Sequence, residues 1–486
     1  MSVALALLVL CPPLSRAAQK TLAAADIVFM TDFGLADDSV AQCKAVMLHI
    51  LPTARITDLT HNVEPFNIHL AAFLLASSAP LWPKGTVFAA VVDPEVGTAR
   101  RGLALETNTG QYFIGPDNGI FTLVIRNLGM KRAVEMTNKD FFRHDCAGRE
   151  SCLRQEAAVS STFHGRDIFS PVAAHIAKEP AVFSKLGPAV NKPLLADWPV
   201  PSAGNEVLTG SVLHVEAPYG NIWTDIPGDI ISSSGLVPGS TITVRSAGKT
   251  LETRFARTFG DVPAGQPLAY INSRGLLGLA VNRGDFAALS GLKTGAELSV
   301  EISTEALIDM RRVSGGKLFF DIRYAAAGNF TEKQVYPSAQ CYLRKPAADA
   351  LLRAAQYAAN APRPFRLCVL DCYRPLAVQR RFWEIMPDPR YVANPAKGSK
   401  HNRGMAVDLA ACDSKNSWLE LPTEFDDFSE HAHRGWAGAS QTAQSNSRAL
   451  EDAMSHAGFS GLPSEWWHFD YPGWETMPVL DTPFAQ

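Results

Sequence analysis

Ile27-Val28-Phe29-Met30-Thr31-Asp32-Phe33-Gly34 is a short apolar strand that runs into a polar turn. A helical stretch follows over 38–50, with apolar Val40, Val46, Met47 and Ile50. Ile56 to Leu59 then reads as a strand, Asn67 to Ala76 as a helix and Val87 to Val92 as a strand. This alternation predicts an α/β domain built on a mostly parallel sheet covered by helices. The turns after its strands carry Asp32, Thr60-His61-Asn62 and Asp93-Pro94-Glu95-Val96-Gly97, at the edge where open α/β sheets bind ligands. Neither GxGxxG nor GxxxxGK[ST] is present, so those phosphate-binding devices have no support. Asp93, Arg100, Arg101 and His164 are the charged residues in the least ordinary settings.

A chain of 486 residues exceeds what one core usually serves, so two or three domains are expected. The α/β domain is placed at 26–190. A stretch rich in Pro, Lys and Ala over 178–204 reads as a linker. Short strands at Gly210–Val215, Thr241–Val244, Leu251–Phe259 and Leu298–Ile302 predict a small, barrel-like β domain over 205–310. Ser314-Gly315-Gly316 then separates an α+β domain over 317–486. There, 347–359 and 376–385 read as helices and 365–370 and 406–409 as strands. With 45 basic and 48 acidic side chains and a charge of -3, nucleic acid is not an expected partner.

Val3 to Leu10 is apolar and is followed by Ser15-Arg16-Ala17-Ala18. Residues 1–25 therefore read as a secretory signal, too short for stable membrane insertion, and export to the periplasm or medium is expected, with the cytoplasm as alternative. Cys146 and Cys152 enclose a polar loop suited to a local disulfide, Cys368 and Cys372 each have scope to pair elsewhere, and Cys43 is left as a free thiol in a helix.

In the last hundred residues, His401-Asn402-Arg403-Gly404-Met405-Ala406-Val407-Asp408 is followed by Glu465-Trp466-Trp467-His468. His401, Asp408 and His468 give Zn²⁺ three ligands and leave a fourth position for water, with Glu465 as the spare carboxylate that moves its proton. Gly404 permits the turn between the first two ligands.

This region resembles the D-alanyl-D-alanine dipeptidase family of zinc metallopeptidases. The matching stretches are Asp321-Ile322-Arg323-Tyr324, Asp371-Cys372-Tyr373-Arg374-Pro375, Ser399 through Asp408 and Glu465-Trp466-Trp467-His468. The resemblance implies zinc at His401, Asp408 and His468, a general base at Glu465 and an oxyanion-stabilising Arg374 braced by Asp371. It also implies an ammonium-binding Asp426, substrate contact at Ser399, and short peptides with a free N-terminus as substrates, a cell-wall peptidoglycan theme. Leu421-Pro422-Thr423 departs from the family pattern, where a change in the pocket wall is expected.

Residues 26–305 resemble the S-adenosyl-L-methionine hydroxide adenosyltransferase family, relatives of the fluorinating and chlorinating enzymes. Thr31-Asp32-Phe33-Gly34, Asp58-Leu59-Thr60-His61, the run Val92 to Arg101, Gly115-Pro116-Asp117-Asn118-Gly119, Phe163-His164-Gly165-Arg166-Asp167, Tyr219-Gly220-Asn221 and Asn272-Ser273-Arg274-Gly275 carry the likeness. It implies water activation by Asp93, Arg100 and His164, ribose contact at Asp32, and further substrate contacts at Asn221, Asn272 and Ser273. Release of adenosine and methionine from S-adenosyl-L-methionine, in a homotrimer, is the implied activity. Glu95, Asp225 and Gly278 depart from the pattern, and an added carboxylate there is expected to retune adenosyl binding. The whole reads as a bifunctional hydrolase. The alternative is an active zinc dipeptidase carrying a non-catalytic adenosyl-binding or oligomerisation module.

Overall fold

The computed structural model describes residues 26–144, 159–198, 202–203, 207–246 and 248–484. The expected signal segment and the expected Cys146–Cys152 disulfide lie outside the described residues. The chain divides into two compact units, Met1–Trp198 and Pro199–Gln486.

The first unit is a six-stranded sheet: β1 (Asp26–Thr31), β2 (Arg55–Thr60), β3 (Val87–Val91), β4 (Gly102–Thr107), β5 (Tyr112–Pro116) and β6 (Met130–Glu135), in the order β2-β1-β3-β5-β4-β6. β2, β1, β3 and β5 run parallel, and β4 and β6 add an antiparallel edge. β3 and β5 are buried along their whole length because helices cover both faces. α1 (Ser39–Ile50) and α4 (Ser170–Lys178) pack with Phe29, Ala89 and Ile114 on one side. α2 (Ile68–Ser78) packs with Val28, Phe88 and Phe113 on the other, and α3 (Thr122–Leu128) joins it. The Asn67 side chain caps α2 by accepting from the Leu70 amide. Residues 180–190, expected as linker, are part of this core: Val182, Phe183, Leu186 and Val190 are buried in it. Their apolar side chains, not the local Pro and Ala content, decide the outcome.

In the second unit, β7 (Ser202–Ala203), β8 (Val207–Glu216), β9 (Asn221–Pro227), β10 (Thr241–Ser246), β11 (Lys249–Phe255), β12 (Pro267–Ile271), β13 (Leu276–Val281) and β14 (Glu297–Ile302) form one sheet. Pairing of β14 with β8 closes seven of these strands into a barrel, and β7 extends it from β8. β11 ends at Phe255, short of the expected Phe259. Thr258 and Asp261 form a capping box there and turn the chain away.

The C-terminal α+β region holds a five-stranded sheet, ordered β16-β18-β19-β21-β20. Its strands, with the separate pair β15 (Leu307–Asp309) and β17 (Tyr342–Arg344), are β16 (Leu318–Phe320), β18 (Arg366–Asp371), β19 (Ala406–Cys412), β20 (Ser460–Gly461) and β21 (His468–Asp470). Ser314-Gly315-Gly316 therefore follows a strand, β15, that already pairs with β17. Helices Lys345–Ala359 and Gln441–His456 bury Leu351, Ala354, Leu450 and Met454 in the same core as the sheet. Cys368 pairs with Cys412 and Cys372 with Cys341, while Cys43 is a buried free thiol in α1. No helix among the described residues is long and apolar enough to cross a membrane.

Candidate active sites

The antiparallel register of β18, β19 and β21 sets Asp371 opposite Asp408 and Asp408 opposite His468. The third metal-ligating candidate arrives on the turn His401–Arg403, whose exit needs the left-handed backbone of Gly404 (φ +68°). His401, Asp408 and His468 thus converge, all buried, with one ligand atom each inside a 4.8 Å circle. His401 Nε2 and His468 Nδ1 are 3.1 Å apart, and Asp408 Oδ1 lies 3.4 and 2.9 Å from them.

The outer partners fix which nitrogens face inward. His401 Nδ1 donates to the Cys372 carbonyl at 2.6 Å, which leaves Nε2 with its lone pair. His468 Nε2 lies 2.9 Å from Asp470 Oδ1, which leaves Nδ1 free to ligate. In their neutral forms the two rings and Asp408 present three acceptors to one point. Against the effect of burial, hydrogen bonds to Asp408 and Asp470 push His468 up to about 10. The point calls for positive charge, and the donor set fits a divalent metal ion.

The remaining predicted residues surround this cluster in a cavity of about 520 Å³ lined by Arg374, Ser399, Asp426 and Glu465 among others. Glu465 Oε2 is 4.0 Å from His468 Nδ1, and burial raises its pKa. Arg374 gives Nε and Nη2 to Asp371 Oδ2, at 3.1 and 2.7 Å, and Nη1 to Gln379 at 2.9 Å. Two of its five N–H groups are left for a ligand. Its guanidinium lies 4.7 Å over the Phe382 ring, and Asp371 is held from its far side by the Tyr336 hydroxyl at 2.7 Å. Asp426, at φ +62°, accepts from the Tyr324 hydroxyl at 3.1 Å. Burial, with the charge of Asp408, pushes Asp426 up to about 7. Ser399 exchanges hydrogen bonds with Asn402 and steadies the turn into His401.

In the first unit, Asp32 follows β1 and Asp93 follows β3, at the carboxyl ends of adjacent parallel strands. Arg100 grips Asp93 through Nε at 2.8 Å and through Nη2, and the same Nη2 donates to His164 Nδ1 at 3.0 Å. Burial and the Arg100 charge lower the pKa of His164. The imidazole is therefore neutral at physiological pH with its proton on Nε2. Burial raises the pKa of Asp32, whose carboxylate accepts the Phe66 amide at 3.1 Å. Asn221, Asn272 and Ser273 belong to the second unit and line a barrel cavity of about 890 Å³.

Residues 27–187 and 210–299 match the patterns described as SAM hydroxide adenosyltransferase N-terminal and C-terminal domains, and residues 303–485 match the D-ala-D-ala dipeptidase pattern. The (R)-S-adenosyl-L-methionine hydrolase of Salinispora tropica is 39% identical over 277 residues, which are 56% of this chain and 97% of that protein. The D-alanyl-D-alanine dipeptidase of Escherichia coli is 35% identical over 182 residues, 37% of this chain and 93% of that one. The chain belongs to both families. A fluorinase from an Actinoplanes species is 31% identical over 301 residues, 56% of this chain and 96% of that protein. The crystal structure of an uncharacterized conserved protein from Thermotoga maritima overlays 56% of this chain and 99% of its own at a TM-score of 0.52 and 35% identity.

The departures from the family patterns have local explanations. In the dipeptidase-family domain, Leu421, Pro422 and Thr423 do not line the cavity. Thr423 instead accepts the Trp466 indole N–H at 2.9 Å, behind Glu465 and His468. In the adenosyltransferase-family barrel, the Asp225 carboxylate is taken up by the amide and hydroxyl of Ser211, both at 2.7 Å, and it does not line the barrel cavity. Glu95 is exposed in the turn after β3. A Cβ on Gly278 would come within 2.8 Å of the Tyr270 ring, so the glycine leaves room for a tyrosine that does line the cavity. Sequence reasoning misses Asp470, Gln379, Tyr336 and Tyr324 as supports of the site. Asp470 had a local signal, standing two residues beyond a ligand histidine, whereas the others become partners only through the fold.

Proposed function

We propose that the protein is a bifunctional hydrolase: a zinc dipeptidase acting on D-Ala-D-Ala-type dipeptides, joined to an enzyme that hydrolyses S-adenosyl-L-methionine to adenosine and methionine. The convergence of His401 Nε2, His468 Nδ1 and Asp408 Oδ1 beside the unligated Glu465 carries the peptidase reading. A zinc ion at this point would polarise a carbonyl and lower the pKa of a water. Glu465, poised by burial, accepts that water's proton on its carboxylate and returns it to the departing amine. Arg374 offers its two remaining N–H groups to the developing oxyanion, in an orientation fixed by Asp371 and Gln379. Asp426 holds the substrate ammonium.

For the adenosyl reaction the supporting observation is the Asp93–Arg100–His164 constellation. Arg100 and the Nε2–H of His164 together favour hydroxide over water as the nucleophile at the ribose C5′. The leaving methionine departs neutral from a sulfonium and needs no acid, so alignment and desolvation are the protein's main task. Asp32 holds the ribose, and Asn221, Asn272 and Ser273 contact the same ligand from the barrel. The resemblance to the adenosyltransferase family adds to this reading a homotrimer whose adenosyl sites take the α/β domain of one subunit and the barrel of the next. The domain limits 26–190, 205–310 and 317–486 and export to the periplasm or medium belong to the same proposal. The deciding experiment is metal analysis of the full-length protein with parallel assays of D-Ala-D-Ala cleavage and adenosine release. Absence of bound zinc and of dipeptide cleavage would overturn the peptidase reading.

A further inference from the structure

Glu465 carries the proton in the dipeptidase reading, yet no contact of its own side chain fixes it. Its carboxylate accepts no hydrogen bond among the described residues, and it comes no nearer to His468 Nδ1 than 4.0 Å. Its backbone belongs to neither β20 nor β21 but to the loop over 462–467 that joins them. The metal-ligating candidates differ, because strand register sets Asp408 opposite His468. A proton carrier on a loop is only as well placed as the groups that hold that loop from behind.

Arg434 holds it. Its Nε donates to the Leu462 carbonyl at 2.9 Å and its Nη2 to the His468 carbonyl at 2.7 Å, so one guanidinium spans both ends of the loop. Its own amide donates to the Pro463 carbonyl at 3.0 Å, and the Trp466 amide donates to the Ala432 carbonyl at 3.0 Å. A planar fork fits that span in a way that the single ammonium of a lysine cannot. The guanidinium lies 4.3 Å over the Phe469 ring. Burial lowers its pKa, and its ion-pair partner Glu451 stands off at 3.8 Å. A partly buried charge without a close counter-ion is unfavourable, and the two carbonyl contacts are what offset it. Gly461 makes the room, since a Cβ there would fall on the guanidinium. We propose that Arg434 is a positioning residue for proton transfer: it closes the loop from Leu462 to His468 and so sets the Glu465 carboxylate against the metal-ligating cluster. This rests on the dipeptidase reading and adds a residue that lies outside the cavity lining and acts only through Glu465.

The test uses full-length zinc-loaded protein and D-Ala-D-Ala, in the wild type, Arg434→Met, Gly461→Ala and the double variant. Arg434→Met should lower kcat by about 10- to 100-fold, the scale of misplacing a reacting group by about 1 Å, with KM within about twofold of wild type. Zinc content should stay at the wild-type level, because strand pairing holds His468. Gly461→Ala should give the same split by pushing the guanidinium off its carbonyls, and it stands alone where Arg434→Met fails to fold. Both substitutions act on one contact, so the double variant should be no slower than the slower single one. An unchanged kcat in Arg434→Met, or losses that multiply in the double variant, would overturn the assignment. Loss of zinc in step with kcat would overturn it too, by showing that Arg434 serves only the fold around His468. A wild type that binds zinc but cleaves no dipeptide would sink the dipeptidase reading and this assignment with it.

Discussion

Asp408 and His468 are register partners on the antiparallel strands β19 and β21, with Oδ1 and Nδ1 2.9 Å apart. Asp371 faces Asp408 from the other neighbouring strand, so one row across the sheet carries two metal-ligating candidates and the brace of Arg374. Sheet register, the least negotiable feature of a buried strand, therefore couples the candidate metal cluster to the placement of Arg374.

Removing a partner from this row has a specific cost. In Asp408→Asn the inward nitrogens of His401 and His468 lose their shared carboxylate, and zinc content should fall from about one per chain to a small fraction of that. Chelation of the wild type removes the cation that would hold His401, Asp408 and His468 together beside Glu465. It should lower the melting temperature of the C-terminal region, and readdition of zinc should restore it. Metal analysis and thermal melts check both outcomes. An unchanged zinc content in Asp408→Asn would remove that residue from the ligand set.

Glu465 touches no ligand atom closely, since its nearest approach to His468 is 4.0 Å. Glu465→Gln should therefore keep zinc and fold while kcat drops by about 10²–10⁴, the usual contribution of a positioned proton carrier. Full activity in that variant would end the assignment.

The pH dependence follows from Asp426. Burial, with Asp408, pushes its pKa up to about 7, so it is neutral below that pH and charged above it. Only the charged form attracts an ammonium, so KM should fall as pH rises through about 7. It should rise again once the substrate amine deprotonates, near 8 for a free α-amine. Asp426→Asn should have a high KM and lose the lower limb. A KM that stays flat between pH 6 and 8 in the wild type, pH values chosen at about one unit either side of that midpoint, would contradict the ammonium role.

How much of this was readable beforehand depended on whether a residue's role is local. The residues His401, Asp408, Glu465 and His468 announce themselves by type and spacing, because hydrolytic metal chemistry tolerates few alternatives. The parallel strands β1, β2 and β3 are legible as short runs with apolar residues, separated by the helical stretches α1 and α2. Strands β9, β12 and β13 are not, because barrel curvature lets Gly, Pro and polar residues interrupt the alternation within five to seven residues. The linker expected at 178–204 fails for a related reason. Composition averages over a window, whereas Phe183 and Leu186 are buried as single side chains between helices. Asp371 and Tyr336 meet across 35 positions, a contact that no local pattern encodes.

The adenosyl site separates catalyst from scaffold. Asp93→Ala strips Arg100 of the bidentate carboxylate that anchors its guanidinium beside His164, so adenosine release should fall by at least about 10², while dipeptide cleavage stays within about twofold of wild type. His164→Ala should act in the same direction. If the wild type releases no adenosine from S-adenosyl-L-methionine, residues 26–305 are a binding or oligomerisation module.

The disulfides bear on where the chain works. Cys341–Cys372 closes a loop of 31 residues, and the Cys372 carbonyl it anchors is the acceptor that orients His401. Closing such a loop is worth roughly 3–4 kcal/mol in the chain-entropy account, a large part of the stability of a typical domain. Cys368–Cys412 ties β18 to β19, the strands that end in Asp371 and begin beside Asp408. Reductant should therefore lower the melting temperature of the C-terminal region and weaken its zinc retention. Both bonds persist in an oxidising compartment, consistent with peptide substrates from the cell envelope. S-adenosyl-L-methionine, in contrast, is a cytoplasmic metabolite. Fractionation combined with thiol labelling decides between the two locations: fully oxidised cysteines in an exported fraction support export, and free thiols at Cys341 and Cys372 in a cytoplasmic fraction refute it.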